Sequence, residues 1–86
     1  MDILVKKPTE TEIIEMQKCP TWGCDVSTFD WFYSEQETAL IIDGKVTVGY
    51  GDKSITLTKG DYVTFPKNLS CTWHVTKPLN KHYKFD

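Results

Sequence analysis

The chain has 86 residues, enough for one domain, and a domain this small buries so little surface that a partner subunit would help to stabilise it. Ten basic residues stand against twelve acidic ones without long like-charge runs, which excludes the electrostatic footprint of a nucleic-acid binder. The longest apolar stretch, Ala39 to Ile42, is far shorter than a membrane span or a signal-peptide core. These features lead to the expectation of a cytoplasmic globular protein without membrane contact. Its three cysteines, an odd number, are expected as reduced thiols.

Met1 to Val5 alternates weakly and predicts a short edge strand. Thr9 followed by Glu12 has the spacing of a capping box, in which hydroxyl and carboxylate each satisfy a backbone donor at a helix start. The helix is predicted to run to about Lys18 and to place Ile13, Met16 and Ile14 against the rest of the fold, with Cys19-Pro20 ending it. Cys19 and Cys24 form a C-x4-C pair. The seven residues between His74 and His82 exceed zinc-motif spacing, so the pair reads as a turn packed by Trp22.

The remainder predicts β structure. Ala39 to Ile42 is apolar on both faces, as in a central strand, and Val46 to Val48 and Ser54 to Thr58 alternate with β-branched residues. Asp43-Gly44-Lys45 carries a hairpin signal, Gly49 to Lys53 a longer turn, and Lys59-Gly60-Asp61 a tight one. Tyr62 to Phe65, Cys71 to Val75 and His82 to Phe85 bring the total to about seven strands, the pattern of an antiparallel sandwich or barrel.

Two motifs narrow that choice. Residues Trp31 to Gly44 read W-F-Y-S-E-Q-E-T-A-L-I-I-D-G, and Gly60 to Val75 read G-D-Y-V-T-F-P-K-N-L-S-C-T-W-H-V. They resemble the two cupin motifs, G-x5-H-x-H-x3-E-x6-G and G-x5-P-x-G-x2-H-x3-N. Glu37, Gly44, Gly60 and Pro66 match. Trp31, Tyr33 and Cys71 stand where the three histidines would be, Asp25 and Asn68 at two glycines, and Val75 at the asparagine. The resemblance covers about Trp22 to Phe85 and implies an all-β fold, a small cupin jelly-roll barrel with a short N-terminal helix. Residues 1–18 would form an edge strand and helix packed on a cupin domain of residues 19–86.

Within cupins the chain is similar to the short single-domain group related to the ureidoglycine aminohydrolase cupin domain. Phe29-Asp30-Trp31, Glu37-Thr38, Val63 to Lys67, Cys71-Thr72-Trp73 and Lys81-His82-Tyr83 carry that similarity. It implies metal-dependent release of ammonia from a small nitrogen-containing metabolite. The chain departs from the motif at the histidines, so no metal ligand set is assigned, and the cofactor stays open.

Strand parity puts Trp31 with Tyr33, and Cys71 with Trp73 and Val75, each set on one face. The cupin register then gathers Trp31, Tyr33, Glu37 and Cys71, with Trp73 beside them, around an aromatic pocket. Glu37, Tyr33 and Cys71 are the candidate catalytic residues, and Trp31, Tyr33 and Trp73 the candidate ligand-binding ones. A carboxylate deprived of hydration has a raised pKa unless a cation compensates, which suits acid or base chemistry near neutrality. Cys71 reads equally as a buried apolar thiol. Two functions follow: an enzyme using Glu37 as acid or base, or a non-catalytic small-molecule-binding module. A closed structural core is the third reading. For Trp22, Phe29 and Phe32 a homodimer interface is the plain alternative to a ligand site, with Phe32 expected on the face opposite Trp31 and Tyr33 and that outer face buried in the dimer.

Overall fold

The computed structural model describes all 86 residues. Its elements are β1 (Leu4–Lys6), α1 (Glu10–Gln17), β2 (Thr21–Cys24), β3 (Ser27–Phe32), β4 (Glu37–Tyr50), β5 (Lys53–Thr58), β6 (Tyr62–Phe65) and β7 (Ser70–Phe85). The strands form one antiparallel seven-stranded sheet in which β1, β6, β4, β7 and β2 are neighbours in that order, while β5 pairs with β4 and β3 with β7. This is a small cupin jelly roll.

The helix starts where its chemistry dictates. Thr9 Oγ1 accepts from the Glu12 backbone N–H and the Glu12 carboxylate accepts from the Thr9 N–H, so two otherwise unpaired donors are satisfied. Met16 is buried and Ile13 half-buried, but Ile14 is exposed, because the helix packs against β4 and β7 along a narrow stripe. Leu40 lies on the outer face of β4 opposite His82 of β7, and His82 Nδ1 is 3.1 Å from the carbonyl oxygen of Cys19, just past the helix end. The second face of the apolar Ala39–Ile42 run is thus accounted for by the helix within the chain.

Two expected turns are corrected. Asp43-Gly44-Lys45 is not a hairpin: β4 runs through it, with register irregularities between Ile41 and Val46 where it pairs with β7. Gly44 has φ of +91°, and a Cβ there would lie 2.1 Å from the Pro78 carbonyl oxygen. The Asp-Gly signal marks a bulged crease where two backbones approach closely. The real hairpin lies at Gly51-Asp52, with Tyr50 opposite Lys53, so it is tighter than expected. Thr21–Cys24, expected as a turn, is a strand because β7 continues to Phe85 and presents a free edge to it.

The crease folds the two halves of β4 and β7 around one core. Ala39 and Ile41 from the first half of β4 join Val46 and Val48 from the second, with Leu57, Val63, Phe65, Trp73, Val75 and Leu79. Burying such side chains stabilises by roughly 1.5–3 kcal/mol each before chain entropy is deducted.

Candidate functional site

A half-open cavity of about 170 Å³ enters this core, lined by Trp22, Phe29, Trp31, Tyr33, Glu37, Trp73, Lys81, Tyr83 and Phe85. Four strands place these residues. On β7 the inward positions alternate as Leu79, Lys81, Tyr83 and Phe85, with Phe85 opposite Glu37 of β4 and Lys81 opposite Trp22 of β2. On β3 Phe29 stands opposite Trp73 and Trp31 opposite Cys71. Tyr33 follows β3 and is pinned by exchange of backbone hydrogen bonds: its N–H donates to the Leu69 carbonyl and its carbonyl accepts from the Asn68 N–H. Asn68, at a motif glycine, adopts φ of 71°, which asparagine tolerates better than most residues.

The rings form a connected wall. Tyr33 stacks on Phe65 at 4.8 Å and meets Trp31 edge-on at 6.5 Å. Trp73 stacks against Phe29 at 6.0 Å and takes Trp22 edge-on at 6.2 Å. Trp22 and Phe29, for which the sequence left a ligand site and an interface open, both line the cavity. Phe32 points the other way and is exposed.

At the base of this wall lies a charged pair. Lys81 is only 5% exposed and Glu37 only 3%, and Lys81 Nζ donates a hydrogen bond to Glu37 Oε2. The ammonium also sits over aromatic faces, 4.8 Å from the Trp73 ring centre, 5.3 Å from Trp22, 5.7 Å from Phe65 and 6.0 Å from Tyr83. Ring quadrupoles attract a cation most strongly where water is excluded. Lysine is rarely buried without a partner, and here carboxylate and rings together compensate for lost hydration.

The sequence led to a raised Glu37 pKa unless a cation compensated, and did not assign Lys81 to the site. Burial raises the Glu37 pKa, and Lys81 only partly offsets it. Burial lowers the Lys81 pKa, and Glu37 only partly restores it. The two values approach each other, so the shared proton is closer to balance than for the same pair in water. Burial, followed by the Glu37 charge, raises Tyr33 far above the usual phenol range, which keeps it a neutral phenol. Burial likewise pushes the Cys71 thiol up.

Of the residues singled out by sequence, Trp31, Tyr33, Glu37 and Trp73 converge on the cavity. Cys71 lies behind its wall, 3.5 Å from the Trp31 carbonyl oxygen to which its thiol points. The Trp73 indole N–H weakly favours the anions of Tyr33 and Cys71, yet it is buried and meets no acceptor in hydrogen-bond geometry. Cys19 and Cys24 are free thiols, and His74 is exposed.

The donor set does not fit the usual cupin metal. Trp31 cannot ligate, Tyr33 is held as the phenol, and the Glu37 carboxylate is engaged by Lys81. No cluster of three histidine, cysteine, aspartate or glutamate side chains is present. Lys81 supplies a resident positive charge beside the retained glutamate.

Comparison with known proteins supports the architecture. A DUF861 family protein from Thermotoga maritima is 43% identical, with a TM-score of 0.94 over 99% of this chain and 100% of that one. The Clostridium difficile EutQ protein is 20% identical, with a TM-score of 0.70 over 76% of this chain and 52% of its own. A putative ethanolamine utilization protein Q from Salmonella typhimurium is similar at 18% identity, with the same TM-score, over 76% of this chain and 53% of that one. At those last two identities the likeness shows fold alone. No curated protein matches the chain. The model of the EutQ-like cupin domain matches residues 12–83, and the chain belongs to that family.

Proposed function

We propose that this protein is a metal-independent small-molecule-binding cupin, in which the aromatic cavity takes a ligand with a body the size of one ring and the Lys81–Glu37 pair reads its polar end. One observation carries the reading: a buried, hydrogen-bonded lysine and glutamate line an aromatic cavity that opens to solvent. Its volume of about 170 Å³ matches the roughly 150 Å³ apolar cavity known to accept one benzene.

The indole N–H signals of Trp22, Trp31 and Trp73 test this in a nitrogen-15 NMR screen of single-ring and small branched metabolites. A saturable shift of all three supports the reading, and silence across the screen contradicts it.

The raised Glu37 pKa favours a second reading, turnover of a small nitrogen-containing metabolite of the ureidoglycine aminohydrolase kind with Glu37 as acid or base. Following the ligand by NMR with trace protein separates conversion from binding. We also propose a homodimer through the outer face that carries Phe32, which is 55% exposed. A monomer in analytical ultracentrifugation at micromolar concentration would remove that part. No helix is long and apolar enough to cross a membrane.

A further inference from the structure

We propose that Lys81 is a reactive amine that condenses with the carbonyl group of a small aldehyde or ketone to form an imine, with Glu37 carrying the protons. This rests on the small-molecule reading above and narrows it to one substrate class.

Three features meet at Lys81. It lines the cavity, whereas Lys6, Lys7 and Lys53 have side chains 56%, 83% and 57% exposed and engage surface carboxylates. Its ammonium is hydrogen-bonded to a carboxylate that is itself buried, so a proton acceptor is already in place. Aromatic walls surround both groups, and an imine persists best where water has limited access.

The chemistry balances within the pair. The Lys81 ammonium passes one proton to the Glu37 carboxylate, and the free amine lone pair attacks the carbonyl carbon while Glu37 returns that proton to the carbonyl oxygen. Glu37 then takes the second proton from nitrogen and delivers it to the hydroxyl. The C–O bond breaks, water leaves, and the nitrogen lone pair closes the C=N bond. The sum is ammonium plus carbonyl giving protonated imine plus water, with Glu37 again a carboxylate. No oxidant, reductant or metal is needed.

Lysines that act in this way are activated by desolvation in apolar pockets. Burial lowers the pKa of Lys81, whereas Asp2 raises that of Lys53. The groups acting on Lys81 are Glu37, Cys24 and Cys71, all acidic, so burial and not a neighbouring cation is the cause.

Benzaldehyde, a single ring bearing a carbonyl, is the probe, and benzyl alcohol is its non-reacting counterpart. The wild-type protein is treated with benzaldehyde and sodium borohydride, and the benzyl group is located by peptide mass spectrometry. The proposal expects one benzyl group on Lys81. Lys53, whose amine Asp2 holds protonated at the surface, should be labelled more slowly than Lys81.

Labelling that follows surface exposure and spares Lys81 overturns the proposal. If benzyl alcohol still shifts the three indole signals, the cavity binds ligands and only the imine is wrong. If the alcohol shifts nothing and Lys81 stays unlabelled, the small-molecule reading falls with it for ligands of this kind.

Discussion

In one part of the barrel interior Val46, Val48, Leu57, Val63 and Val75 point inward and are almost wholly buried, while in the other the inward positions carry Glu37, Lys81 and a ring of aromatics. Both parts draw on the alternation of β4 and β7, with β5 and β6 completing the aliphatic part and β2 and β3 the aromatic one. The aliphatic part is dry and packed like an organic solid, and its side chains have no chemistry beyond exclusion of water. The aromatic part holds two charges out of water, which costs several kcal/mol per ion before attraction and ring contacts offset it. A domain of this size can hold such a pair because the aliphatic part supplies compensating stability.

Breaking the pair on one side is the most forceful way to expose this contrast. Lys81→Met leaves Glu37 without its cation and should lower unfolding free energy by about 3–5 kcal/mol in urea titration. Adding Glu37→Gln should recover much of that loss. A double variant as unstable as the single one would show that the pair is incidental to the cavity. Leu57→Ala, in the aliphatic part, should cost about 2–5 kcal/mol and leave the affinity of any cavity ligand unchanged. A large affinity change would mean that the two parts are coupled and not merely adjacent.

The pH dependence sharpens the comparison at smaller scale. Glu37 binds its proton more tightly when folded, so its contribution is fully present below 4.5, the ordinary value, and is lost as pH rises through the raised one. Lys81 binds its proton less tightly when folded, so its contribution is present above 10.5 and is lost as pH falls through the lowered value. Stability of the wild type relative to the double variant should therefore pass through a minimum between these limits. A flat difference would contradict both shifts. Smallest of all, Trp31→Ala should change stability by under about 1 kcal/mol, since the ring is half-exposed, yet weaken ligand binding measurably by fluorescence titration.

Local signals were readable in the sequence wherever the physics was local. The Thr9–Glu12 box sets the helix start, and Tyr62 to Phe65 alternates cleanly between turn residues, so both coincide with what forms. Asp43-Gly44 misled because the same dipeptide serves a hairpin or a crease, and only the approach of Pro78 from β7 distinguishes them. Thr21–Cys24 is a strand by virtue of its distant partner Leu79 to His82 on β7, which local propensity does not register.

The site was legible in part for the same reason. The cupin register brought Trp31, Tyr33, Glu37 and Trp73 together, but lysine is by default a surface residue, and Lys81 entered only within the family-like Lys81-His82-Tyr83 run, without a place in the site. A signal was present: Tyr83 and Phe85 alternate on one face of the last strand, and the same parity extends to Lys81 and Leu79. A lysine between two inward apolar positions, on a strand adjoining a lone buried glutamate, is the pattern that would have found it.

The buried Lys81–Glu37 pair is tested by carbon-13 and nitrogen-15 NMR of the Glu37 carboxyl and Lys81 side chain through one pH titration. Glu37 should titrate above 4.5 and Lys81 below 10.5, with each signal reporting the other's transition. Two independent titrations at those ordinary values would show two hydrated side chains and contradict it.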